Sequence, residues 1–363
     1  MKYKEDIDIV KKRMEAFWNQ EMMDRACAAI VAPKVKGVNI SPFRNDLDFT
    51  GNRAGLIDYW TNPETIRKVN LTKIENTYFG GDAIPSIFQN YGTSGHCNYY
   101  GAKPDYQQDT IWFPQVIDSL EPENIVFHEE VLEKHLEICK YLVDHAGDDY
   151  FVGMPDSTGT LDAITHLYGS QNLLLDFLEE PELVKQAVKT INEGWKYSNE
   201  KFYQMTKENC QGSVHSWMHL WAPGRIQHMQ VDISVMISAD MYREFALPEL
   251  EDQIEWPDYP VYHFDGIEQI KHLEYILSLE KLKAIQWTYV AGQPSAGHFI
   301  PVLQRIQAAG KSVIVMAPKS DIPVLLENLS ADKLYIHCEV EDPEEAKEIL
   351  KYIEKNSKCR RFS

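Results

Sequence analysis

From Glu130 onward the chain repeats one unit: a short apolar run, a turn, then a stretch with apolar residues at helical spacing. The pattern predicts strands over residues 150–153, 213–217, 261–265, 284–287, 312–316 and 334–338. It predicts helices over 130–146, 173–178, 181–210, 241–254, 267–279, 299–309, 322–329 and 343–354. Runs that are apolar on both faces suit strands of a buried parallel sheet, and parallel neighbours need a crossover of helical length. The last five strand–helix pairs are spaced as βαβ units. Apolar runs at 26–31 and 77–79 bring the candidate strands to eight, and no glycine-rich phosphate loop accompanies them. The expectation is an α/β fold, a single (β/α)8 TIM barrel occupying residues 1–363 as one domain.

Ile7, Ile9, Val10, Met14 and Phe17 or Trp18 mark an amphipathic N-terminal helix able to pack across a barrel end. Residues 37–127 are polar, loop-rich and dense in aromatics, with one clear helix start at Thr61-Asn62-Pro63-Glu64. Such a segment is too polar for its own core. It is expected to cover the C-terminal mouth, with Asn90 or His96 reaching the cavity and Tyr99 and Trp112 packed nearby. An outer surface or a dimer contact is the alternative for His96.

Hydrophobic residues make up 44% of the 363 and charged residues 25%, enough for a full core. The net charge of −19 argues against nucleic acid and against an anionic membrane surface. Six cysteines lie scattered with no C-x-x-C, and no signal-like or membrane-length apolar run is seen, so a cytoplasmic setting is expected.

In a barrel of this kind the site is built from the residues at the C-terminal end of each strand. Those positions hold Asp82, Asp156, Trp217-Met218-His219, Trp221, His263, Asp265, Gln286-Trp287, Met316 and His337-Cys338-Glu339. His263 and Asp265, two apart, share one strand face, and a buried carboxylate demands a partner or a metal. Each has a plainer reading as well: His263 as a satisfied core histidine, Cys338 as a small buried hydrophobe, Asp156 as a helix cap. Trp217, Trp221, Gln286, Trp287 and Met316, with Asn90 and His96, are the expected substrate-binding residues; His219, Glu339 and Asp156 are the expected proton carriers.

Trp217-Met-His-Leu-Trp221-Ala-Pro-Gly, Ile237-Ser-Ala-Asp-Met-Tyr-Arg-Glu-Phe-Ala-Leu-Pro-Glu249, Tyr262-His-Phe-Asp-Gly266, Leu282-Lys-Ala-Ile-Gln-Trp287 and Cys338-Glu-Val-Glu-Asp-Pro-Glu-Glu resemble the uroporphyrinogen decarboxylase superfamily over most of the chain. The superfamily's corrinoid-dependent methyltransferase branch binds zinc through His-x-Cys and a later Cys. The resemblance therefore implies a metal at His263, Asp265 and Cys338, with Asp265 standing where that branch has its first Cys and with His219 or Glu339 as proton carrier or fourth ligand. Zinc accepts all three ligand types. The stretch Ala32-Pro-Lys-Val-Lys-Gly-Val-Asn lacks the arginines that grip the decarboxylase's substrate.

The resemblance implies a methyltransferase working between a small donor or thiol acceptor and a corrinoid. The chain lacks Asp-x-His-x-x-Gly, so the corrinoid would come free or on a partner protein. A second copy of the chain is a further expected partner. One alternative is a metal-free decarboxylase or lyase on a small acid, using Asp265 or Asp156 with Arg44, Arg53 or Arg225. The other is a barrel that binds a corrinoid or metabolite without turnover.

Overall fold

The computed structural model describes residues 1–288 and 290–362. Thirteen strands occur among them: β1 (Cys27–Pro33), β2 (Thr77–Gly81), β3 (Ser86–Ile87), β4 (Asp105–Tyr106), β5 (Ile111–Trp112), β6 (Phe151–Val152), β7 (Ser213–His215), β8 (Leu220–Ala222), β9 (Ile226–Met229), β10 (Tyr259–Asp265), β11 (Ala284–Thr288), β12 (Ser312–Met316) and β13 (Leu334–Glu339). Seven form one sheet in the order β2-β1-β13-β12-β11-β10-β9, parallel throughout except for β2 against β1. Backbone bonds from Phe151 N to Pro85 O (3.0 Å) and Met154 N to Val214 O (2.8 Å) carry the curve through β3 and β6 to β7. Ile226 N donates to Ser213 Oγ at 2.8 Å and links β9 back to β7. Helices pack around this curved sheet, giving the TIM-barrel-like α/β fold expected of the strand–helix rhythm.

The four C-terminal strands lie where the apolar runs predicted them, and helix Pro343–Asn356 comes after β13. Two sequence expectations needed correction. Residues 37–127 hold two α-helices, Arg53–Thr61 and Pro63–Asn76; the second starts at the expected cap, Asn62 Oδ1 accepting from Glu64 N at 2.9 Å. The run at 77–81 pairs antiparallel with β1, so its end turns toward the base of the barrel instead of the mouth. Gly81 makes this reversal at φ 61°, where a Cβ would stand 2.2 Å from Ala28 O. Asp82 is thereby taken out of the site. It is a fully buried ion partner at the base, held by Arg13 (2.6 Å), Arg25 (2.7 Å) and Ala28 N (2.7 Å).

The N-terminal helix Ile7–Trp18 closes the same end, with Trp18 Nε1 donating to Trp221 O at 2.8 Å. No helix among the described residues is long and apolar enough to cross a membrane.

Candidate functional site

Strand alternation decides which expected residues meet. Along β10 and β11, His263 pairs with Gln286 and Asp265 with Thr288, and these four point into the barrel. Phe264 and Trp287 point the other way and stack on each other, 5.0 Å between ring centroids and 13° between planes, under Phe299. Trp287 is therefore core of the outer layer, not pocket wall. Along β13, His337 and Glu339 face inward, and Cys338 faces the helices, near Lys319, Asp321 and Glu345. Burial pushes its thiol up to about 12.

The expected metal set is consequently not assembled: Cys338 lies on the opposite strand face from His263 and Asp265. Among the described residues no three His, Cys, Asp or Glu side chains are grouped so that they could hold a metal ion. Cys338→Ser is expected to leave the metal content of the purified protein unchanged, because the thiol is buried and faces away from the mouth. Elemental analysis of the parent and the variant checks it.

His263 Nδ1 makes a short contact with Gln286 Oε1, and Gln286 Nε2 donates to Thr288 Oγ1 at 2.6 Å. The second bond sets the orientation of the amide, so its oxygen faces the imidazole and Nδ1 carries the proton. The lone pair of neutral His263 is then on Nε2. Asp232 and Asp265 both act on this neighbourhood. Burial raises the Asp232 carboxyl above its ordinary range; His263 pulls against it, and Asp265 adds a smaller push upward.

Beside His263 runs a buried polar chain that the sequence pattern did not reveal. His215 Nε2 lies 2.8 Å from His228 Nδ1, and His228 Nε2 lies 3.0 Å from Asp156 Oδ1. The second contact is in ion-pair range but off line, so neither atom has a well-directed hydrogen bond. Burial tends to raise the Asp156 carboxyl. His228, His215 and His263 outweigh that and hold it below the usual carboxylate range. Burial, with His228 second, holds His215 well below the ordinary histidine value. Asp156 caps no helix: Glu249 accepts from Thr160 N (2.6 Å) and Leu161 N (3.0 Å) at the start of the next one.

Asp162 of that helix receives Asp232 N (2.9 Å) and Ile233 N (3.1 Å), which anchors the turn after β9 and brings Asp232 to the mouth. His215 and His228 were missed because β7 and β9 are three and four residues long and rich in polar side chains. The available signal was Ile226-Gln-His-Met after the turn Ala-Pro-Gly-Arg.

The Trp217 ring lies edge-on to His215 (5.0 Å) and His263 (5.6 Å) and separates this cluster from a cavity on its other side. The cavity has about 100 Å³ of free space. Its floor holds His219 and His337, its wall Met316 and Phe79 of β2, and its rim Glu339 and Lys73, with Ile40, Phe43 and Phe88 closing it from the covering segment. That segment does cover the mouth, though not through the expected aromatics. Trp112 is 58% exposed, and Tyr99 packs on His135 and Phe127.

His219 sits in left-handed backbone at φ 53°, uncommon for a residue with a Cβ, and its carbonyl accepts from Tyr335 Oη at 2.7 Å. Burial lowers His219 to about 4 and His337 to about 3, and both are neutral at physiological pH. Glu339 is raised, mainly by desolvation and against the pull of Arg44, although its side chain is open at the rim.

Of the remaining expected residues, Asn90 lines a neighbouring cleft with Lys73 and Tyr91, and its Oδ1 accepts from Gly92 N at 3.0 Å. His96 is buried within electrostatic reach of Asp156, behind the cluster, with no hydrogen-bond partner on either nitrogen. Trp221 is displaced altogether: β8 runs back from β7, and its indole Nε1 donates to Cys210 O at 2.9 Å beside Met14 and Lys11 at the base.

An α/β barrel with imidazoles, carboxylates and an indole gathered at the strand ends defines the class of protein by fold. Neither a family model nor a curated protein matches the sequence. Among solved structures, the chain is similar to a methyltransferase from Methanosarcina mazei at TM-score 0.58 and 13% identity, over 95% of this chain and 98% of the other. A B12-independent methionine synthase from Shewanella sp. W3-18-1, in complex with selenomethionine, superposes at TM-score 0.43 and 12% identity, over 92% of this chain and 97% of the other. The first likeness establishes a shared fold.

Proposed function

We propose that this chain is an enzyme transferring a methyl group between a small substrate at the barrel mouth and a corrinoid that arrives free or on another protein. The observation that supports it best is His263 at the mouth. Its Nδ1 is fixed by Gln286, its Nε2 lone pair is free, and Asp232 and Asp265 stand beside it. The corrinoid, when bound, supplies or takes the methyl group as a cation equivalent. An acceptor X–H that gains the methyl must lose its proton, and His263 Nε2 takes it as general base; in the reverse direction the imidazolium returns it. The two carboxylates offset the positive charge so formed. Trp217 keeps water from one side, and the Asp156–His228–His215 chain lines the other with fixed dipoles.

The resemblance suggested zinc as the activator of a thiol. His263, Asp265 and Cys338 do not fit one tetrahedral site, so no step is routed through a metal. The decarboxylase alternative required an arginine at Asp265. Arg53 is engaged by Asp105 and Arg225 by Asp258, while Arg44 acts on Glu339.

The test mixes the protein with methylcobalamin and small thiols, and with cob(I)alamin and methyl ethers, following the corrinoid absorbance. Protein-dependent methyl transfer that survives dialysis against a chelator is expected. A rate equal to buffer in both directions would rule out the proposal, and activity lost to chelator and restored by zinc would rule out its metal-free part.

A further inference from the structure

We infer that the cavity floored by His219 and His337 binds an uncharged, largely apolar small molecule and recognises it through one hydroxyl- or ether-type oxygen. This goes beyond the proposed function: the cavity lies across Trp217 from His263 and is a binding site separate from the one where the base stands. Val31, Ile74, Phe79, Phe88, Trp217 and Met316 supply apolar walls. Into that space His337, only 4% exposed, presents an imidazole with no hydrogen-bond partner on either nitrogen. Ser86 Oγ, also a lining residue, is likewise unpartnered. Trp217 Nε1, on a further lining residue, is a fourth such atom. Buried polar atoms are nearly always satisfied, and four left open on the residues around one cavity point to a ligand that satisfies them.

The ligand's charge follows from what the floor lacks. The formal charges stand at the rim and are engaged there. Lys73 Nζ donates to Ser41 O (2.8 Å) and Arg44 O (2.6 Å), and Glu339 is exposed with Arg44 acting on it. An ion moved to the floor would lose its water without meeting a counter-charge. A hydroxyl can donate to one nitrogen of His337 and accept from Ser86, and an ether oxygen can accept from either. Size is limited as well: a cavity of about 150 Å³ holds benzene, so the roughly 100 Å³ here suits a group of about four heavy atoms, such as a short alkyl chain.

Three probes of one chain length test this: 1-butanol, butanoate and butylammonium, titrated by calorimetry and by the imidazole nitrogen signals of His337. Butanol is expected to bind saturably, at least tenfold tighter than either ion, and His337→Phe, which keeps the ring and removes both nitrogens, to weaken it at least tenfold. Ile40→Trp, which narrows the cavity from the cover without touching the barrel, should abolish binding, and it decides the matter if the His337 variant fails to melt cooperatively. Absence of butanol binding to the folded parent, an ion binding as tightly, or binding unchanged by the decisive variant would overturn the inference. None of these titrations needs turnover, so a failure of methyl transfer would leave them readable.

Discussion

Replacing His263 with Asn is expected to lower turnover by about 10²–10⁴ while leaving the fold intact, the range that loss of a positioned general base produces. The side chain is only partly buried and its one hydrogen bond is to Gln286, so little packing is lost. Asn cannot take up a proton near neutral pH. The loss should fall on kcat, and the residual rate should rise with pH as solvent hydroxide replaces the base. Gln286→Leu separates tautomer control from basicity. Without the acceptor on Nδ1 the imidazole is free to present the wrong nitrogen, and an intermediate loss is expected. Full activity in His263→Asn, measured in the methyl-transfer assay, would remove His263 from the mechanism.

The second large effect is on stability and is independent of any activity. Glu249 is fully buried and accepts from Thr160 N and Leu161 N at the start of helix Thr160–Tyr168. Gly159 permits the approach: a Cβ there would stand 1.9 Å from Gln230 O and 2.9 Å from Glu249 Oε1. Glu249→Ala leaves two buried amides without acceptors, and a loss of about 2–6 kcal/mol is expected from denaturant midpoints. Desolvation raises the Glu249 carboxyl to about 8, above its ordinary value of 4.5. Between those two values the folded chain holds a proton that the unfolded chain has released, so this group makes stability fall as pH rises from about 4.5 to about 8. Glu249→Gln keeps an acceptor and removes the titration. Its stability relative to the parent should therefore increase across that window by a few kcal/mol. A parent-minus-Gln difference that does not change between pH 5 and 8 would mean Glu249 is ionised throughout.

Much of the fold was readable in the residues because its signals are local. The apolar runs ending at Asp265, Trp287, Met316 and Cys338 are β-strands because both their faces are buried, and Asn62-Pro63 and Ser238 cap their helices as side chains of that kind do. His263, Asp265, Gln286, Met316 and Glu339 were found at the mouth for the same reason: they stand at strand ends.

What the residues alone could not decide was direction and face. β2 runs antiparallel and carries Asp82 to the base; β8 folds back and takes Trp221 with it. A period of two puts Cys338 and Trp287 outside the barrel, one position away from His337 and Gln286 inside it. The Asp156–His228–His215 chain joins Asp156 to His228, 72 positions on, and His228 to His215, 13 positions back, on short polar strands that carry no period, and only the closing of the sheet brings them together. Local propensity is written in neighbours along the chain. The site's electrostatics arise from neighbours across it, and there the tertiary structure alone sets distance, burial and protonation.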